Sequence, residues 1–118
     1  MKFYQYPKCS TCRKAQKFLK ENSIDFTSID ITETPPSKAE LKAMLDSYNG
    51  ELRKLFNTSG VQYRELKMKD KLPQMAAVEA IGLLSNNGKL IKRPFLLDNE
   101  KNGIVGFKEI AWAGFLKV

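Results

Sequence analysis

Residues 6–15, YPKCSTCRKA, contain both cysteines of the chain, spaced as C-x-x-C. The residues before them, Lys2–Tyr6, are rich in aromatic side chains and stop at Pro7, which is typical of a strand that runs into a loop. After Ser10 the apolar residues recur at helical spacing, and they place Cys12, Ala15, Phe18 and Leu19 on one face. The cysteine pair is therefore predicted to lie where a first strand gives way to a first helix.

The rest of the chain continues to alternate strands and helices. Ile24–Ile31 is predicted to form a second strand, parallel to the first. Ser37 and Glu40 have the spacing of a capping box, which predicts the start of a second helix. Further elements are predicted in this order: a short helix over Glu51–Phe56, a helix from Pro73 that carries Ala77, Val78, Ile81 and Leu84, strands over Phe95–Asp98 and Gly103–Gly106, and a helix over Phe107–Leu116. This order predicts an α/β fold with a four-stranded mixed sheet flanked by helices.

Length and composition indicate one globular domain over residues 1–118. No stretch approaches the roughly 20 apolar residues that cross a membrane, and the first residues lack the apolar segment of a secretion signal. We therefore expect a cytoplasmic protein with no membrane partner. The basic residues behind the net charge of +7 are spread along the chain, which favours a solvated basic surface over direct binding to nucleic acid.

The position of the cysteine pair predicts thiol chemistry. Cys9 stands at the expected helix N-terminus, where unpaired N–H groups and the helix dipole favour a thiolate. Lys8 and Arg13 add positive charge nearby, so we expect the pKa of Cys9 to lie below the free value of about 8.5. Such a thiolate can attack a disulfide, a sulfenic acid or an oxyanion. Cys12, one turn further on and less exposed, is the candidate that resolves the intermediate.

Two other interpretations of the pair remain open. A structural zinc site needs four Cys or His ligands, and the chain has two cysteines and no histidine, so a site would need carboxylates or a second subunit. The cysteines are alternatively two small core residues, although a loop at a strand end is a poor place for core packing. The residues imply neither a metal nor an organic cofactor.

The stretch YQYPKCSTCRKA, the later Arg93-Pro94 and Val105-Gly106-Phe107 resemble a family of thioredoxin-fold proteins. This family includes the glutaredoxin-linked arsenate reductase ArsC and the transcription regulator Spx. The resemblance implies a thioredoxin-like fold with a helical insertion in the middle of the chain. It also implies a cis Pro94 facing the cysteine loop, and an Arg93 that binds an oxyanion or the active-site sulfur. From the residues alone, a solvated charge at a strand start remains the alternative interpretation of Arg93.

The chain departs from both named members of the family. Asn57 and Phe107 stand where the reductase has two further arsenate-binding arginines, and Arg64 is a candidate replacement. Cys12 matches Spx rather than the reductase. Gly50 matches a glycine at which Spx contacts the RNA polymerase α subunit, although a glycine there also suits a helix end.

Two functions follow from the residues and the resemblance. The first is a thiol/disulfide oxidoreductase that receives electrons from thioredoxin, glutaredoxin or a small thiol. Its predicted catalytic residues are Cys9, Cys12 and Arg93, and its predicted substrate-binding residues are Lys8, Ser10, Thr11, Arg13, Arg64 and Pro94. The second is a redox-switched regulator that binds RNA polymerase.

Overall fold

The computed structural model describes residues 1–118, which form four strands and six α-helices. The strands are β1 (Lys2–Gln5), β2 (Thr27–Asp30), β3 (Phe95–Leu97) and β4 (Gly103–Val105). The helices are α1 (Ser10–Glu21), α2 (Lys38–Ser47), α3 (Val61–Glu65), α4 (Met68–Lys71), α5 (Ala77–Ser85) and α6 (Glu109–Leu116). Short 3-10 helices cover Leu52–Leu55, Leu72–Gln74 and Gly88–Leu90.

The strands form one mixed sheet in the order β2-β1-β3-β4. β1 pairs with β2 in parallel, and β3 pairs with β1 and β4 in antiparallel fashion. Because neighbouring residues of a strand point to opposite faces, the two central strands build a core on each side of the sheet. Phe3 and Leu96 join a small cluster with Ala15 and Leu19 of α1 and Trp112 of α6. The predicted α/β architecture is confirmed.

The larger core cluster covers the other face, where Tyr4, Phe95 and Leu97 meet side chains of α2 to α5. α2 also covers the edge of β4, because Ser47 Oγ and Tyr48 Oη accept hydrogen bonds from the N–H groups of Gly103 and Val105 at 3.1 and 3.0 Å. These contacts satisfy backbone donors that a bare edge strand would leave open.

The predicted capping box is present at the start of α2. Ser37 Oγ accepts a hydrogen bond from the Glu40 N–H at 3.1 Å, and Glu40 Oε1 accepts one from the Ser37 N–H at 3.0 Å. At the other end of the helix, Asn49 has a left-handed φ of +55° directly after the C-cap Tyr48, and the next residue, Gly50, also has a positive φ of +82°.

The second strand is shorter than the predicted Ile24–Ile31. The Ile24 N–H donates to the Leu19 carbonyl at the end of α1, so it is not available to pair with β1. At the other end, the Ile31 N–H donates to the Gln5 carbonyl at 2.9 Å, so pairing continues one residue beyond β2.

Two helix predictions were wrong in detail. Pro73 belongs to a separate 3-10 turn, and α5 begins only at Ala77, because Ala76 is extended and therefore interrupts the helix. Val78 is 81% exposed rather than buried. The final helix begins at Glu109 rather than Phe107, and Ile110 near its start is 89% exposed.

The short helices α3 and α4 lie in a region for which the sequence pattern predicted no helix. They contribute Tyr63 and Met68 to the larger core cluster, and they form the middle of the helical insertion. Across the whole fold, none of the helices combines the length and apolar character needed to span a bilayer.

Candidate active site

The cysteine loop joins β1 to α1 and is held by backbone hydrogen bonds. Cys9 is the N-cap residue of α1, with extended backbone angles. Its N–H donates to the Tyr6 carbonyl at 2.9 Å, and its carbonyl accepts from the Arg13 N–H at 3.1 Å. The Cys9 thiol is partly exposed at the N-terminus of a 12-residue helix that has no acidic residue in its first turn. The predicted placement of Cys9 is confirmed.

The surroundings of Cys9 favour its thiolate. Desolvation by partial burial raises its pKa, but hydrogen bonds from the Cys12 N–H, the Cys12 thiol and the Thr11 N–H outweigh this cost. The positive charge of Arg93 acts in the same direction. The net result is a pKa of Cys9 below its ordinary value. A thiolate is the nucleophilic form of cysteine, so Cys9 is prepared for attack.

Cys12 has the opposite environment. It is fully buried, and its Sγ accepts a hydrogen bond from the Tyr6 N–H at 3.5 Å. Burial raises the pKa of Cys12 to about 12; the hydrogen bond from the Tyr6 N–H and the charge of Arg93 oppose this shift, and the neighbouring Cys9 adds to it. No disulfide joins the two cysteines, and each acts on the pKa of the other. The site therefore holds one thiolate-prone sulfur beside one protonated thiol.

The cation that acts on Cys9 comes from the far end of the sequence. The Arg93-Pro94 peptide bond is cis, as the family resemblance implied. The Arg93 Cζ lies 5.0 Å from the centroid of the Tyr6 ring, and Nη1 donates to the Lys89 carbonyl at 3.3 Å. No carboxylate forms a salt bridge with Arg93. Arg93 is half-buried as a residue, and its guanidinium is held by the Tyr6 ring and by one exposed hydrogen bond to the Lys89 carbonyl.

Lys8 and Arg13, the two basic residues close to Cys9 in sequence, are not among the causes of its lowered pKa. Lys8 and Arg13 are exposed, and Arg13 Nη1 donates to the Pro7 carbonyl at 3.1 Å, which ties α1 to the loop. Arg93, rather than either of them, is the charge that lowers the pKa of Cys9. The expected contribution of Lys8 and Arg13 was therefore wrong, whereas the expected contribution of the N–H groups at the start of α1 and the expected direction of the shift were right.

The remaining candidate binding residues differ in how close they come to the cysteines. Ser10 and Thr11 form the first turn of α1, and Ser10 is exposed. Pro94 is buried at the start of β3. Arg64 is exposed on α3, and no hydrogen bond links its side chain to the cysteine loop. The structure thus gathers Lys8, Ser10, Thr11 and Arg13 around the loop but gives Arg64 no contact with it.

The two positions that match family arginines have other roles. The Phe107 ring packs against Phe18 and Trp112, with centroid separations of 5.7 and 5.1 Å. It belongs to the aromatic packing on the α1 side of the sheet and offers no donor to an anion. The Asn57 N–H donates to the Leu90 carbonyl at 2.7 Å, next to a bridge between Phe56 and Ile91.

Two features of the site were missed in the sequence. Tyr6 contributes its backbone to both cysteines and its ring to Arg93. An aromatic residue directly before Pro7 was a visible signal, but it was assigned only to the strand. Residues 1–20 also contain six Lys and Arg and no Asp or Glu, so the cysteine loop lies in a segment without negative side chains. No group of three or more Cys, Asp or Glu side chains is placed to hold a metal ion.

Comparison with known proteins agrees with this fold. The model of the ArsC family matches residues 4–115. The chain is 53% identical over 107 residues to the uncharacterized protein YusI of Bacillus subtilis, covering 91% of this chain and 90% of that one. It is 35% identical to the global transcriptional regulator Spx of Enterococcus faecalis, covering 90% and 78% of the two chains. A crystal structure described as a possible arsenate reductase from Streptococcus mutans superposes with a TM-score of 0.85 at 44% identity, covering 91% of this chain and 90% of that one. The chain belongs to the ArsC family.

Proposed function

We propose that this protein is a thiol/disulfide oxidoreductase that acts on oxidised, negatively charged substrates. The observation that carries the proposal is the contrast between its two thiols beside one arginine without a carboxylate partner. Cys9 has a lowered pKa and is the nucleophile. Cys12 has a raised pKa and is the resolving thiol, which stays protonated until the second step.

The proposed reaction with a disulfide has two steps. The Cys9 thiolate attacks one substrate sulfur, forms a mixed disulfide and releases the other half of the substrate as a thiolate. Cys12 then loses its proton and attacks the Cys9 sulfur, which releases the second half as a thiolate. The substrate gains two electrons, and the protein is left with a Cys9–Cys12 disulfide. Thioredoxin, glutaredoxin or a small thiol reduces this bond again, and no cofactor takes part.

The binding residues follow from their positions around the loop. Arg93 binds the anionic group of the substrate, because most of its N–H donors have no partner in the fold. Lys8, Ser10, Thr11, Arg13 and Pro94 form the surroundings in which the substrate sits, and Arg64 is a more distant candidate. We propose the cytoplasm as the location, since a reducing compartment returns such a pair to its thiol form.

Arsenate is expected to be a poor substrate, although the family takes its name from arsenate reductase and the similar Streptococcus mutans protein is described as a possible one. Phe107 packs within an aromatic cluster, and Asn57 is uncharged. Each missing arginine removes charged hydrogen bonds worth about 1.5–3 kcal/mol. A disulfide that carries one anionic group needs only Arg93 and is therefore preferred.

The reduction potential of the cysteine pair tests the proposal. The protein is equilibrated with glutathione or dithiothreitol buffers, and free thiols are counted by mass spectrometry after alkylation. We expect a reversible two-electron couple between roughly −300 and −180 mV, the range of known thiol oxidoreductases. A Cys12→Ser variant should instead accumulate a mixed disulfide at Cys9. If no intramolecular disulfide forms at any redox potential of the buffer, Cys12 does not resolve the intermediate and the proposal fails.

A redox-switched regulator is the second candidate, favoured by the likeness to Spx and by the presence of Cys12 in the C-x-x-C motif. Gly50 is exposed and open space surrounds it, but its φ of +82° strains any side chain, so thermal melting must first show that a substituted variant is folded. Capture of purified RNA polymerase by the oxidised and reduced protein separates the two functions. Binding that depends on the Cys9–Cys12 disulfide and is lost in Gly50→Arg would support regulation, whereas no binding in either state would exclude it.

A further inference from the structure

Tyr6 touches each of the three residues that the proposed chemistry uses. Its N–H donates to Cys12 Sγ at 3.5 Å, its carbonyl accepts from the Cys9 N–H at 2.9 Å, and its ring lies 5.0 Å from the Arg93 Cζ. The register of β1 and β3 explains the last contact. Tyr4 pairs with Phe95, so the same antiparallel register extended by two residues sets Tyr6 opposite Arg93.

The ring holds Arg93 without consuming its hydrogen-bonding capacity. A guanidinium has five N–H donors, and here a single one donates within the fold, to the Lys89 carbonyl at 3.3 Å. A carboxylate in place of the ring would occupy two donors and cancel the charge. An aromatic face attracts the cation through its quadrupole and leaves the N–H groups at the edge of the guanidinium available.

We propose that Tyr6 is a positioning residue that holds the Arg93 guanidinium beside Cys9 and leaves it free to bind the anionic group of the substrate. The inference rests on the proposed thiol chemistry and adds to it the residue on which the preference for anionic substrates depends. Tyr6 itself touches no substrate. Its ring, rather than its hydroxyl, carries the effect.

Two substitutions separate the ring from the hydroxyl. Tyr6→Phe keeps the ring, whereas Tyr6→Leu removes it and leaves the backbone contacts to both cysteines in place. The first readout is the pH dependence of Cys9 alkylation by iodoacetamide. The second is the rate constant for reaction with glutathione disulfide, which is anionic, relative to cystamine, which is cationic.

Tyr6→Phe is expected to match the natural protein in both readouts. Tyr6→Leu is expected to shift the alkylation profile to higher pH and to lower the glutathione disulfide to cystamine rate ratio about two- to fivefold, the range of a partly exposed cation–π contact. Circular dichroism and thermal melting check that each variant is folded. If Tyr6→Leu does not fold, Tyr6→Met fills similar space without a ring.

A double-mutant cycle with Arg93→Ala shows whether Tyr6 acts through the arginine. Once Arg93 is absent, Tyr6→Leu should change neither the alkylation profile nor the rate ratio any further. An undiminished effect in the Arg93→Ala background, or a Tyr6→Phe variant as impaired as Tyr6→Leu, would overturn the inference. Failure of the proposed function would be seen separately, because neither glutathione disulfide nor cystamine would then produce a Cys9–Cys12 disulfide. The pH dependence of Cys9 alkylation can still be measured in that case.

Discussion

Two half-buried charged residues lie along strand β1, with Glu40 beside its start and Arg93 beyond its end. They differ in how many partners within the fold their charged groups have. The Glu40 carboxylate accepts hydrogen bonds from Tyr4 Oη at 2.7 Å, Lys2 Nζ at 2.9 Å and the Ser37 N–H at 3.0 Å. Burial raises the pKa of Glu40, but these three partners outweigh it and hold the pKa below its usual value.

The Arg93 guanidinium contacts the Tyr6 ring and donates to the Lys89 carbonyl, and no carboxylate forms a salt bridge with it. Most N–H donors of Arg93 have no partner within the fold, so they are available to water or to an anionic ligand. The Glu40 carboxylate thus joins β1 to the start of α2, whereas the Arg93 guanidinium remains available to stabilise the Cys9 thiolate and to bind the substrate that Cys9 attacks.

The largest expected effect is the difference in reactivity between the two cysteines, because Arg93 and the helix N-terminus lower the pKa of Cys9 whereas Cys12 is buried and has a raised pKa. At neutral pH, iodoacetamide should modify Cys9 at least about 100-fold faster than Cys12, after the lower intrinsic nucleophilicity of a low-pKa thiolate is taken into account. Peptide mass spectrometry of timed samples measures both rates, and the urea-unfolded chain, with equal rates, is the control. Similar rates in the folded protein would show that the site does not activate Cys9.

Removing Arg93 should damage function and spare stability. Arg93→Ala is expected to lower the rate constant for glutathione disulfide at least about tenfold, the lower end of the 1.5–3 kcal/mol given by charged hydrogen bonds. Its free energy of unfolding should change by about 1 kcal/mol or less, because a cation–π contact and one exposed hydrogen bond are lost but no ion pair is broken. Arg53→Ala, at an exposed arginine of a 3-10 turn, is the matched control for both measurements. A large loss of stability in Arg93→Ala would erase the contrast with Glu40.

Removing the charge of Glu40 should have the reverse outcome. Glu40→Gln is expected to lower the free energy of unfolding by about 1–2 kcal/mol, since hydrogen bonds to a charged, partly exposed group are weakened. Alkylation of Cys9 should be unchanged. Urea denaturation measures the first quantity, and Glu65→Gln on the exposed surface of α3 serves as the control. Slower alkylation in Glu40→Gln would mean that the two ends of β1 are coupled.

The sequence predicted the parts of the fold that depend on local patterns. The capping box at Ser37 and Glu40, the start of α1 at the cysteine loop and the position of Gly50 all follow from residues a few places apart. Helical spacing also placed Cys12 on the buried face. Such features are readable because the interactions that produce them join near neighbours in the chain.

What the sequence pattern did not predict depends on pairing between distant segments. Lys8 and Arg13 were expected to activate Cys9 because they are close in sequence, but strand pairing brings in Arg93. The same pairing gives the Tyr6 ring its contact. Val78 fits an apolar helical face, yet α5 buries Ala80, Ile81 and Leu84 and leaves Val78 exposed. Only the packed structure determines which of several charges or apolar faces meets its partner.

The smallest expected effect is on the pH dependence of stability, where Glu40 and Arg93 should again differ. The pKa of Glu40 is lowered in the folded protein, so its carboxylate stabilises the fold above the unfolded value of about 4.3 and loses this effect as pH falls through the folded value. The stability difference between the natural protein and Glu40→Gln should therefore narrow from neutral pH to below about pH 4 in urea titrations. Measured in a Cys9→Ser background, which removes the thiolate that Arg93 stabilises, the difference that Arg93→Ala makes should stay constant, because an arginine remains charged throughout this range. A Glu40→Gln difference that does not narrow would show that the shape of the side chain, rather than its charge, joins β1 to α2.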